Sequence, residues 1–248
     1  GPLGEGGTVH GLLELAGVPY GGAGVLASAL CMDKDVFKSV LRDHNIPVTE
    51  NITLRLGDEP HSPYGFPVFV KPARLGSSVG ITKAHDDEER GRGVALAFEH
   101  DEKVRGERVG ACTEVEVGVL GNQKPIASLP GEIIVTHNEW YDFEAKYDEG
   151  EMDLVVPARI TDEQIERAQE LAVRSFVATE CEGMARADLF VRDDGEVLVN
   201  ELNTIPGFTS TSVYARLFDA SGIGYGELLE RLADLAVERF EQRRQLRF

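Results

Sequence analysis

Stretches of helical and strand period follow one another along the chain. Apolar residues recur at helical spacing over Thr8–Ala16 and from Val25 to about Arg42, the pattern of an amphipathic helix with one apolar stripe. Strand-like runs lie at Thr49–Leu54 and Pro67–Lys71, a charged helix near Asp86–Glu99, and further strands near Val104–Glu107, Thr113–Leu120 and about Pro125–Val135. A polar loop covers His137–Glu151. Asp162 reads as the N-cap of a helix reaching about Thr179, and two more strands, Met184–Val191 and Val197–Leu202, precede a C-terminal helix from about Tyr225. That last helix carries Leu228, Leu232, Leu235, Val237 and Phe240 at helical spacing, which predicts a docked helix with a solvated outer face. Long helices interleaved with antiparallel-looking strands predict an α+β fold.

Composition narrows the class. The 248 residues are 42 % hydrophobic and 27 % charged, long enough for one large domain or two smaller ones and unlike a disordered or fibrous chain. No run approaches the roughly 18 apolar residues of a membrane span. Gly1-Pro2-Leu3-Gly4-Glu5 has no basic region followed by an apolar one, so a cytoplasmic protein is expected. Cys31, Cys112 and Cys181 lie far apart without metal-type spacing, so buried reduced thiols are expected. The formal net charge of −18 argues against nucleic acid or an anionic membrane as partner. A phosphate ligand would need a local cationic pocket, which draws attention to Lys34, Lys71, Lys146 and Arg186.

The stretch from Met184 to Asn203 is the most informative. Two β-rich runs flank Asp194-Gly195, the signal of a two-residue hairpin turn. With that turn Asp188 faces Glu201 and Arg186 faces Asn203, all four on one face, while Ala187, Leu189, Leu198 and Leu202 line the other. Two directly opposed carboxylates repel unless a cation lies between them. Oxygen-only ligands favour a hard divalent ion that keeps waters and completes its shell with phosphates. Metal-nucleotide binding is one reading of this hairpin; a solvated acidic hairpin is the other.

Pro67-Val68-Phe69-Val70-Lys71-Pro72 is an apolar strand ending in a lysine, and Ala73-Arg74-Leu75-Gly76-Ser77-Ser78-Val79-Gly80 follows as a turn rich in backbone and hydroxyl donors that could fold over polyphosphate or equally be a surface turn. The order of a Walker loop is absent. Cys31-Met32-Asp33-Lys34 sits in a helix-rich segment, where a lone lysine is ordinarily solvated. The loop Asn138–Tyr147, with Trp140, Tyr141 and Phe143, has the length and polarity of a functional lid, although its aromatics could equally be core anchors.

Taken in order, Met32-Asp33-Lys34, Lys71-Pro72 with Gly76-Ser77-Ser78-Val79-Gly80, Glu144-Ala145-Lys146-Tyr147, Arg186-x-Asp188, Glu201-x-Asn203 and Pro206-Gly207-Phe208-Thr209-Ser210-Thr211-Ser212 resemble the D-alanine–D-alanine ligases of the ATP-grasp superfamily. The resemblance spans nearly the whole chain. It implies an ATP-grasp fold, with two α+β subdomains gripping nucleotide between antiparallel sheets: residues 1–24 as a junction from an N-terminal domain, 25–121 as a central subdomain, and 122–248 as a C-terminal subdomain with a flap at 137–151. It also implies ligation of two D-alanines through an acyl phosphate, for peptidoglycan precursors in a bacterial cytoplasm, with ATP and Mg²⁺ or Mn²⁺, and a possible homodimer.

By the same resemblance, Lys34, Lys71 and Lys146 hold nucleotide phosphates, with Ser78 beside them, and Asp188, Glu201 and Asn203 coordinate the metal. Arg186 and the N–H of Gly207 stabilise an oxyanion. Ser212 binds the carboxylate of the second D-alanine, and Ser77 and Tyr147 hydrogen-bond near the first. Tyr147 favours D-alanine over D-lactate as second substrate. Glu5 matches a family glutamate near the junction, and the N-terminal domain supplies a further glutamate for the first D-alanine. Glu107 and Glu114 keep the spacing of the adenine- and ribose-contacting acids, but the residues around them, Arg105–Thr113, depart from the family pattern, and Arg105 with Gly106 is expected to weaken a central strand. The alternatives are an ATP- and metal-binding fragment without ligase activity, or a ligase using D-serine or D-lactate.

Overall fold

The computed structural model describes residues 3–76, 79–108, 110–135 and 152–246. In chain order the elements are α1 (Thr8–Leu15), α2 (Val25–Met32), α3 (Lys34–Asp43), β1 (Glu50–Arg55), β2 (Val68–Pro72), β3 (Thr82–Ala84), α4 (Asp87–Phe98), β4 (Lys103–Arg108), β5 (Cys112–Gly121), β6 (Ile126–Ala127), β7 (Gly131–Val135), β8 (Met152–Val155), α5 (Asp162–Ala178), β9 (Gly183–Arg192), β10 (Val197–Asn203), α6 (Val213–Ala220) and α7 (Tyr225–Arg244). The strands form two antiparallel sheets, one ordered β1-β4-β2-β3 and one ordered β10-β9-β5-β7-β8 with β6 paired to β5. This is the expected α+β construction. No helix among the described residues is long and apolar enough to cross a membrane.

The larger sheet buries one face. Val115, Val117 and Val119 of β5, Ala187 and Leu189 of β9, and Val197, Val199 and Leu202 of β10 pack with Leu171 and Phe176 of α5, Ala27 and Cys31 of α2, and Phe37 and Leu41 of α3. Each such large apolar side chain contributes roughly 1.5–3 kcal/mol when fully buried. The smaller sheet rests Leu54, Val70 and Val104 on Val94 and Ala97 of α4. Its other face carries Lys71, Arg105 and Glu107, beside Phe69, which packs on Phe190 of the larger sheet. β5, which the sequence reading grouped with the central segment ending at 121, pairs with β9 in the larger sheet.

Several boundaries differ from the sequence reading for local reasons. The helix expected from Val25 to Arg42 is two helices, because Asp33 leaves helical geometry and its carboxylate accepts the N–H groups of Asp35 and Val36, capping α3. Thr161, not Asp162, caps α5, with Gln164 closing a capping box. The strand expected over Pro125–Val135 is interrupted between β6 and β7. Three short elements escaped the periodicity: β3, β8 and α6, the last following a polar Thr-Ser-Thr-Ser run.

As expected, α7 docks: Leu228 and Leu232 join Tyr214 and Phe218 of α6. It also clasps the chain's N-terminal segment. Arg239 donates to the carbonyls of Gly22 and Tyr20, the latter at 2.7 Å, with its guanidinium 4.3 Å from the Tyr20 ring centroid, and Arg243 bridges Glu14 and Glu182 at 3.0 Å each.

Candidate active site

Asp188 faces Glu201 and Arg186 faces Asn203 in the β9–β10 pair, as expected, but by a different route. The turn has three residues, not two: Arg192 N donates to Glu196 O and Gly195 N to Arg192 O, both at 2.9 Å, with Gly195 at φ 91°. Near the turn Val197 therefore pairs Val191 and Leu198 pairs Phe190; the ladder then slips at Asn200, between Val199 and Glu201. That bulge offsets the extra turn residue. It also reverses one assignment: Leu198, expected on the core face, shares the cleft face with Phe190, and Val199 takes its place in the core.

Strand β5 completes this face, with Glu114, Glu116 and Gly118 opposite Phe190, Asp188 and Arg186. The Arg186 guanidinium is held on two sides: Nε and Nη2 donate to the two oxygens of Asp188, each at 2.7 Å, and Nε lies 3.0 Å from Glu116 Oε2. Burial opposes the charge, yet Asp188 and Glu116 keep the guanidinium's pKa well above its ordinary value. Glu116 was missed as a site residue; its signal was the two-residue period of Glu114-x-Glu116, which puts both acids on one face.

The cations come from the N-terminal half. Lys34 opens α3, its N–H bonded to Ala73 O at 3.1 Å, while its Nζ donates to Leu75 O at 2.9 Å and lies 3.5 Å from Glu201 Oε2. It is thus a buried cavity cation and not a solvated helix lysine. Lys71, next to the last residue of β2, forms an ion pair with Glu107. Glu107, expected to contact adenine, is fully enclosed; Lys38 and Arg105 also hold its carboxylate, and Thr49 Oγ1 donates to it at 2.6 Å. Burial alone would raise the Glu107 pKa, but Arg105, Lys38 and Lys71 hold it well below the usual carboxylate range. Burial and Arg105 lower both lysines against the opposing pull of Glu107.

Arg105 and Gly106 lie in a fully formed strand, β4. β4 is an inner strand paired to both β1 and β2, and Gly106 suits it because a Cβ there would lie only 3.2 Å from Ile52 Cγ1.

A cavity of about 470 Å³ gathers Glu5, Lys34, Glu116, Arg186, Glu201, Asn203, Gly207 and Ser212. Asp188 lies just behind, paired to Arg186. Ser212, at the N-cap of α6, accepts from Thr209 N at 2.9 Å. Lys71, Glu107 and Glu114 are not among its lining. Ser77, Ser78, Lys146 and Tyr147, with the rest of the flap expected at 137–151, lie outside the described residues. Among the described residues no three His, Cys, Asp or Glu side chains are grouped to hold a metal. The hairpin instead offers two carboxylates and the Asn203 amide, an all-oxygen set that fits a hard divalent ion sharing its shell with water and phosphate.

Comparison with known proteins follows the same lines. A family model described as D-ala D-ala ligase C-terminus matches residues 40–234. A D-alanine–D-alanine ligase of Bacillus velezensis is 43 % identical over 253 residues, covering 98 % of this chain and 71 % of that protein. Among solved structures, the D-alanine–D-alanine ligase from Coxiella burnetii has a TM-score of 0.89 at 37 % identity, covering 99 % of this chain and 68 % of that one. The VanG D-Ala:D-Ser ligase from Enterococcus faecalis has a TM-score of 0.84 at 36 % identity, covering 94 % and 69 %. The Bacillus anthracis D-alanine–D-alanine ligase complexed with ATP has a TM-score of 0.83 at 28 % identity, covering 98 % and 78 %. From the matched residues 40–234 and this extent of identity, the chain belongs to the D-alanine–D-alanine ligase family.

Proposed function

We propose that the chain joins two D-alanines to D-alanyl-D-alanine at the expense of ATP, contributing to peptidoglycan precursor synthesis in a bacterial cytoplasm. The observation that carries this reading is the convergence of Lys34, Arg186, Glu201, Asn203, Gly207 and Ser212 on one cavity, cations and oxygen donors together.

In the first step a carboxylate oxygen of one D-alanine takes the γ-phosphoryl group and ADP leaves. In the second the amine of the other attacks the acyl carbon, and the resulting oxyanion collapses with loss of phosphate and a proton. Little covalent chemistry falls to the protein; alignment and charge neutralisation are its work. Lys34 and Lys71 bind the phosphates, joined by Ser78 and by Lys146 from the flap. Asp188, Glu201 and Asn203 would hold Mg²⁺ or Mn²⁺, which when bound neutralises charge on the polyphosphate. Arg186 and the Gly207 N–H take the oxyanion, with Glu116 as a second carboxylate holding Arg186. Ser212 orients the carboxylate of the second D-alanine, Ser77 and Tyr147 would hydrogen-bond near the first, Glu5 contributes to substrate binding, and Glu114 takes the ribose. A homodimer is part of the same proposal.

Phosphate release from ATP, measured with and without D-alanine, tests the reading. D-alanine-dependent release supports it. Nucleotide binding without release would make the chain a binding unit, and release that requires D-serine or D-lactate as the second substrate would reassign it.

A further inference from the structure

The face of the smaller sheet that bears Lys71, Arg105 and Glu107 carries more positive charge than its carboxylate balances. Lys38 of α3, Lys71 of β2 and Arg105 of β4 all contact Glu107, so three basic groups share one carboxylate, a formal excess of two positive charges. The side chains of Lys38, Arg105 and Glu107 are fully enclosed, whereas Lys71 keeps 14 % of its side chain exposed. Lys71 is therefore the member that can meet an incoming anion.

Arg105 is a costly occupant of its site. It pairs with Lys71 across β2 and β4, which sets like charges directly opposite each other. Its Nε and Nη1 are buried without a hydrogen-bond partner among the described residues. An apolar side chain of similar length would remove both penalties, and because Glu107 would keep Lys38 and Lys71 as counter-ions, no buried charge would be left unpaired. Packing alone gives no reason for a guanidinium here.

The two oxygens of Glu107 are unequally engaged: Lys38, Arg105 and Thr49 contact Oε1, while Lys71 contacts Oε2. When Lys71 leaves, the carboxylate is still held by three donors. We propose that Arg105 is a positioning residue: by joining Lys38 and Thr49 on Glu107, it frees the Lys71 ammonium to turn from Oε2 to the nucleotide phosphates. The inference rests on the phosphate-binding role of Lys71 proposed above. Without Arg105 the carboxylate grips Lys71 more tightly and the local potential drops by one charge, and both effects oppose phosphate binding.

Equilibrium binding of Mg-ATP and of adenosine to the full chain, with thermal unfolding alongside, tests this in Arg105→Met, Arg105→Lys and Lys71→Met. Arg105→Met is expected to lose on the order of tenfold in ATP affinity, to bind adenosine as the parent does, and to melt no lower than the parent; Arg105→Lys recovers most of the loss. If Lys71→Met loses ATP affinity and Arg105→Met does not, the inference falls and the Lys71 role stands. If Lys71→Met binds ATP like the parent, the Lys71 role falls. If Arg105→Met loses adenosine and ATP alike and melts lower, Arg105 is only structural and the inference is overturned.

Discussion

Glu201 stands directly across the β9–β10 ladder from Asp188, with the ladder slipping at Asn200 immediately before it. The bulge lets Val199 and Leu202 both reach the core while Glu201 and Asn203 stay on the cleft face. Removing one of these donors should therefore act on the metal before it acts on the fold. Glu201→Gln is expected to raise the Mg²⁺ concentration needed for half-maximal phosphate release on the order of 10–100-fold. A titration of activity against Mg²⁺ measures it, and an unchanged midpoint would remove Glu201 from the metal site.

Arg186 donates to Asp188 and lies against Glu116, so its position is set independently of any substrate. A preorganised cation of this kind acts where charge develops. Arg186→Ala is expected to lower kcat on the order of 10²–10³-fold with little change in ATP affinity; steady-state kinetics beside equilibrium nucleotide binding separates the two. Equal turnover in the variant would rule out the oxyanion role.

Asp33 caps α3 and pairs with Lys103 at 2.8 Å. Asp33→Ala is expected to lose about 1–2 kcal/mol, read by denaturant unfolding. Burial pushes the Asp33 carboxyl up, but Lys103 and the N–H groups of Val36 and Asp35 outweigh it, leaving the folded pKa below the ordinary value. The carboxylate's contribution is thus complete above the unfolded pKa and fades as pH falls through the lower, folded one. The gap between parent and variant should be full at neutral pH and shrink in acid.

The thiols offer a test of burial. Cys31 and Cys181 are buried with their sulfurs 4.0 Å apart, whereas Cys112 is half-buried. Burial, with Glu114 nearby, pushes the Cys112 thiol up to about 11. One thiol per chain should react with a disulfide reagent in the native state, its rate rising about tenfold per pH unit below that value as the thiolate fraction grows; the other two should react only on unfolding. Two fast thiols would contradict this packing.

The opposition of Asp188 and Glu201 was legible because it needs only strand alternation and a turn signal, yet it came out right through two offsetting irregularities. A three-residue turn and a bulge cannot be read from Asp194-Gly195 alone, and Leu198 paid the error by landing on the wrong face. Lys34 was legible through its motif and not through its setting, since nothing local says that a helix restarts there with its first residue under Ala73 and Leu75. The Glu107 cluster was hidden by distance along the chain: Lys38 lies 69 residues from Glu107, and a lysine on an amphipathic helix reads as solvated until the sheet that covers it is known. Arg105 was read as a flaw in its strand because its counter-ion belongs to the same face two residues on.

The clasp of Arg239 on Tyr20 joins residues 219 apart in sequence. Beyond Tyr20 and Gly22 the backbone runs straight into α2 and on to Met32 and Lys34 at the cavity wall. Trimming the final turns of α7 would therefore be felt first as slack beneath Lys34, far from the cut itself, because α7 anchors the segment that leads into α2.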